Sequence, residues 1–124
     1  MTIRTLPYDP SQFLELADHL VEDGQYDEIS RSRTAVGRAY YAAFLMVKKK
    51  LEELGYSFRD VLRIHEQVIV SANEKNSFIG NRLETLRKHR VDADYEMHTS
   101  VNITIGRKCI KISQDVLRLL NQLR

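Results

Sequence analysis

Between Arg87 and His98 the chain reads RKHRVDADYEMH, and these twelve residues hold three basic side chains (Arg87, Lys88, Arg90), two aspartates, one tyrosine and two histidines. A guanidinium binds a phosphate or carboxylate with its planar fork, an imidazole moves a proton near neutral pH, and a carboxylate orients either one. The stretch therefore carries residue types that can hold a phosphate and residue types that can move a proton. Arg90 stands apart from its neighbours. Ile79, Leu83, Leu86, Arg90, Ala93 and Met97 step by four, three, four, three and four, so an uninterrupted helix points Arg90 where the apolar residues point, inward. A buried guanidinium needs a carboxylate, a path to solvent or a cleft. Two arrangements satisfy it. In one, Arg90 pairs with Asp94 a turn later and snorkels at the helix end. In the other, it faces a cleft shared with Tyr95 or His98 and holds a phosphate.

Helix geometry limits how these groups meet. At roughly 100° per residue, Arg90 and Tyr95 lie about 140° apart and Arg90 and His98 about 80° apart. They converge only at a bend or helix end near Ala93, or when a second copy of the chain supplies one of them. Asp94 and His98 are four apart and share a face, so that the carboxylate can orient the imidazole. His65 is expected as a structural residue, a cap or a site residue, and His19 and His89 as surface residues. Further basic residues cluster at Arg31, Arg33 and Arg38 and at Lys48 to Lys50. With Arg87 and Lys88, Arg38 is a candidate for contacting a polyanion, although solvated charged faces have the same composition.

Several chemistries find no support. The four histidines are scattered and the single Cys109 cannot build a zinc site, so no metal is expected. The five glycines form no phosphate loop of either familiar spacing. Serine and cysteine lack the surroundings of an acyl-transfer nucleophile. No cofactor is expected.

The elements that must position these residues are helical. A chain of 124 residues with 43% hydrophobic and 29% charged residues is the size and composition of one domain, spanning 1–124. A lone cysteine, a start without a leader-like apolar run and the absence of an 18-residue apolar window predict a soluble, cytoplasmic protein with no membrane contact. The net charge of +2 does not by itself mark a nucleic-acid binder. The first helix is expected from Asp9, with Pro10 at its first position, to Asp23, burying Phe13, Leu16, Ala17 and Leu20. The second is expected over Ser30 to Leu54, before Gly55, with a seam of Val36, Tyr40, Phe44, Val47, Leu51 and Leu54. A third, near Asp60 to Ala72, carries Val61, Leu62, Ile64, Val68 and Ile69. SANEKNS then connects to the helix bearing Arg90. The last helix is expected from Ser100 to the end, with Ile105, Cys109, Ile112, Val116, Leu119 and Leu123 alternating by four and three. VNITI merges into that pattern and is not expected as a strand.

The blocks SRSRTAVGRAYYAAFLMVKKKLEELGYSF, RIHEQVI and LETLRKHRVDADY together resemble the HEPN domain, a small all-helical family. The resemblance covers the chain from about Phe13 to its end. Its most specific parts are GRAYYAAF and the Arg-x-x-x-Asp-Tyr block from Arg90 to Tyr95. It implies an all-α, antiparallel four- to five-helix bundle that forms homodimers. It also implies metal-independent cleavage of RNA in toxins or phage-defence proteins, with the cleft shared between two copies. A base removes the 2′-hydroxyl proton, a cation stabilises the charged phosphoryl oxygens, and the products are a 2′,3′-cyclic phosphate and a 5′-hydroxyl. In these terms Arg90 is the cation, with Asp94, Tyr95 and His98 completing the catalytic set and Arg38, Arg87 and Lys88 holding RNA. Where the nuclease pattern has histidine, after about four to six intervening residues, this chain has Tyr95, and His98 follows only after seven. A phenol is a weak base at neutral pH but donates hydrogen bonds to phosphate. Arg59 to His65 and Arg82 to His89 also match the spacing, outside the place the family gives its cleft. The resemblance also implies the alternative function: a non-catalytic module that binds RNA, a nucleotide or a partner such as a small nucleotidyltransferase antitoxin.

Overall fold

A computed structural model describes residues 8–124. The expectation that the chain start carries no leader concerns residues that lie mostly outside this range. Five α-helices follow one another: α1 (Gln12–Glu22), α2 (Glu28–Glu53), α3 (Ile64–Lys75), α4 (Ser77–Tyr95) and α5 (Ile103–Leu120), with a 3-10 turn at Val61–Arg63 before α3. No strand occurs among the described residues. VNITI forms the approach to α5 instead: Val101 is buried, and the Asn102 side chain caps the helix by accepting the Ile105 N–H at 3.1 Å.

The fold is organised around α2, which touches each of the other four helices. Its start is set by Asp27, whose carboxylate accepts the Ser30 N–H at 2.9 Å. Its end is set by Gly55, which has φ +103°, a left-handed conformation that glycine adopts without penalty. Between these limits the seam Val36, Tyr40, Phe44, Val47 and Leu51 is buried as the spacing predicts, while Leu54, the last of the expected seam, lies past the helix end and is only partly buried. Buried Ala35, Ala39, Ala42 and Ala43 let neighbouring helices approach the rest of its circumference closely. Large apolar side chains buried this way contribute roughly 1.5–3 kcal/mol each before conformational entropy is charged against them.

The other helices differ from the sequence pattern in instructive ways. At the chain start, the Asp9 carboxylate accepts both the Ser11 N–H at 3.0 Å and the Ser11 hydroxyl at 2.8 Å, a local turn that delays α1 to Gln12. The buried face of α1 is then Leu14, Ala17 and Val21, while the expected Leu16 is exposed and Phe13 and Leu20 lie at its margins. Val61 and Leu62 are 80% and 96% exposed, because Asp60 caps a 3-10 turn there instead of starting the helix. SANEKNS is not a loop. α3 runs on to Lys75, and Asn76 alone separates it from α4, its side chain accepting the N–H groups of Phe78 and Ile79. In α5 the buried stripe is Gly106, Cys109, Ile110, Ser113, Val116 and Leu120, rotated from the expected seam, so Ile105, Ile112 and Leu119 are only partly buried. None of the described helices is long and apolar enough to cross a membrane.

Candidate functional site

On α4, Ile79, Leu83, Leu86 and Ala93 are buried, and Arg90 lies in the same row with its side chain 19% exposed. The helix ends at Tyr95, so Met97, which the extended pattern turned inward, is 90% exposed. Arg90 Nε stands 2.9 Å from Asp94 Oδ2. Its N–H is not aimed at the carboxylate, and Nε is buried without an aligned hydrogen-bond acceptor. The pair is thus a charge contact between partly exposed groups, contributing about 0.2–1 kcal/mol. The guanidinium carbon also lies 5.3 Å from the Tyr41 ring centre and 5.6 Å from that of Tyr95. Such contacts contribute about 0.5–1 kcal/mol each at exposed sites. Tyr41 meets a second guanidinium, Arg38, at 5.5 Å, and Arg38 in turn lies 4.8 Å from Phe13. Aromatic and cationic groups therefore alternate from α1 through α2 to the end of α4: Phe13, Arg38, Tyr41, Arg90, Tyr95.

Beside Tyr41, α3 delivers an imidazole. His65 occupies the first turn of α3, directly after the 3-10 turn. Its ring stacks on Phe44 at 4.4 Å, lies 6.0 Å from Tyr41 edge to face, and places Nδ1 2.5 Å from the Tyr40 hydroxyl. Burial lowers the His65 pKa below its ordinary value, and the nearby charges of Arg87 and Arg90 lower it further. Burial raises that of Tyr40 far above the phenol range. At neutral pH the pair is therefore a neutral imidazole and a protonated hydroxyl. Arg90, Tyr41, Tyr40 and His65 thus form one chain of contacts drawn from α4, α2 and α3.

The remaining candidates have varied placements. Tyr95 is the last residue of α4, which runs on past Ala93 without the expected end there, and its ring lies 5.6 Å from the Arg90 guanidinium carbon. His98 is exposed in the segment between α4 and α5, so the expected helix face shared by Asp94 and His98 does not form, and Asp94 pairs with Arg90. Arg87 is half-buried and Lys88 exposed; with Glu84, Val91 and Asp92 they line an open depression of about 350 Å³. A second depression, about 300 Å³, is lined by Tyr56, Phe58, Arg63, Glu66 and Val70 among others, away from Arg90's own contacts. His89 is partly buried rather than a plain surface residue, and burial lowers its pKa, with Lys108 adding to the effect. Two basic residues expected on a charged face are structural instead. Arg31 donates to the carbonyls of Leu20, Val21 and Tyr26, closing the end of α1. Arg33 donates to those of Asp92, Ala93, Glu96 and Thr99, closing the end of α4 and the segment bearing His98. No metal-ligating group of three residues occurs among the described residues.

Tyr41 is the member that sequence spacing missed; His65 was weighed as a cap or site residue but not joined to Arg90, and the three-residue step from Arg38 to Tyr41 was the one local trace of the stacked row. Comparison with known proteins agrees with the helical architecture: a family model described as HEPN domain matches residues 10–123. No curated protein and no solved structure matches the chain.

Proposed function

The chain belongs to the HEPN domain family, and within it we propose a metal-independent endoribonuclease of the toxin or phage-defence type, acting in the cytoplasm as a homodimer of single-domain chains. The observation that carries this reading is the setting of Arg90, held between two aromatic rings with Asp94 as its one described anionic partner. A cation fixed in this way needs little reorganisation to receive a phosphoryl group that gains charge in the transition state. Asp94 steadies it. Arg38, Arg87 and Lys88 extend the positive surface along which an RNA backbone would lie. The 2′-hydroxyl then attacks the adjacent phosphorus, with Tyr95 donating a hydrogen bond to the phosphate and an imidazole assisting proton transfer. His98 is exposed at the end of α4, where a second copy would approach it, and two facing copies of this open surface would enclose one cleft. The short connections, one residue between α3 and α4, favour antiparallel neighbours within each bundle.

The test is incubation of the full chain with single-stranded RNA in excess EDTA. Fragments ending in 2′,3′-cyclic phosphate and 5′-hydroxyl support the reading; intact RNA after prolonged incubation contradicts it. One observation favours the second reading, a non-catalytic module binding RNA, a nucleotide or a nucleotidyltransferase antitoxin: a phenol, Tyr95, occupies the position of the nuclease histidine. Saturable RNA binding without cleavage would select that reading.

A further inference from the structure

Resting on the ribonuclease reading, we infer that His65 is the group that takes the 2′-hydroxyl proton, and that Tyr40 is the positioning residue that fixes which ring nitrogen does so. Two geometric facts carry this. Arg90 and His65 both lie against Tyr41, at 5.3 Å and 6.0 Å from its ring centre, so the imidazole and the cation assigned to the phosphate share this ring as a common neighbour. The ring is also held twice, by stacking on Phe44 and by the Tyr40 hydroxyl at Nδ1, which leaves Nε2 outside the contact. The groups facing it are Tyr40 and Tyr41 from α2 and Arg87 and Arg90 from α4, with Glu84 of α4 near Tyr40. Burial and both arginines hold the imidazole neutral, the form a base requires.

The step balances without a metal or an oxidant. In the tautomer that carries its proton on Nδ1, that N–H donates to the Tyr40 oxygen and the Nε2 lone pair accepts the proton of the 2′-hydroxyl. The 2′-oxygen forms a bond to phosphorus as the bond from phosphorus to the 5′-oxygen breaks. The leaving 5′-oxygen takes a proton from water, and the imidazolium returns its proton to solvent.

The experiment is the pH dependence of cleavage of a single-stranded RNA oligonucleotide in EDTA by wild type, His65→Asn, Tyr40→Phe and Arg90→Ala, each checked for folding by circular dichroism. A base with a lowered pKa is active when unprotonated, so the wild-type rate rises with pH through a midpoint below the ordinary value of 6.5 and then levels. His65→Asn should lose that limb and about 100-fold in kcat with KM within about threefold. Tyr40→Phe keeps the imidazole and should shift the limb and lower kcat about tenfold; it decides the matter if His65→Asn does not fold. Wild-type kcat and an unchanged limb in these variants, with Arg90→Ala inactive, overturn the role of His65 alone. RNA left intact by wild type overturns the ribonuclease reading and this role together.

Discussion

Arg33 and Arg90 are the same residue type put to opposite uses, and their surroundings decide which. Arg33 donates from both terminal nitrogens to the main-chain carbonyls of Asp92, Ala93, Glu96 and Thr99, at 2.6 to 3.2 Å, at and beyond the end of α4, where those of Asp92 and Glu96 also accept the N–H groups of Glu96 and Thr99. Arg33→Ala removes these bonds and should lower stability by about 1–3 kcal/mol, read as a shift of the urea midpoint at unchanged slope. Arg33→Lys should recover only part of the loss, since an ammonium lacks the planar fork; a midpoint unchanged in Arg33→Ala would mean the clamp contributes nothing. Arg90 was legible in the sequence because a charged residue broke an apolar row on its own helix. The clamp of Arg33 was not, because its acceptors lie 59 to 66 residues away in the chain. The contact of His65 with Tyr40 was opaque for the same reason: the two are 25 residues apart, and no local period encodes that contact.

Among the elements, α3 and α4 bear most directly on the site, since they carry His65 and Arg90. Gly80 sets their approach: a Cβ there would lie 2.7 Å from the Asn73 Cα, a backbone atom that cannot rotate aside. Gly80→Ala should therefore force the two helices apart and destabilise the protein by about 1–3 kcal/mol, although alanine is the better helix former. Denaturant titration checks the sign, and an alanine variant more stable than wild type would contradict this packing. The long helices were legible at this scale because α2 and α5 repeat their apolar residues over many turns. Short-range competition was harder to see. The Asp9 turn delayed α1 and changed its buried face, and the Asp60 turn left Val61 and Leu62 in solvent, both through side-chain oxygens binding nearby backbone N–H groups.

At the scale of the whole molecule, helical class and family membership followed from patterns spread along the chain, whereas the candidate site depends on where three helices meet. Residues 10–123 match the HEPN domain, yet the imidazole that packs on the same Tyr41 ring as Arg90 comes from α3 and not from the residues after the arginine. That difference follows from packing around α2, which presents Tyr40, Tyr41 and Phe44 to α3 and α4 together. The whole account turns on Arg90 as the cation that receives the phosphate, and the most direct measurement is RNA cleavage in excess EDTA by wild type and Arg90→Ala at matched folding. The expected result is full wild-type activity with chelator present and a fall of at least about 100-fold in kcat/KM for the variant, the scale of losing one preorganised charge donor. Equal cleavage by the two proteins would contradict it.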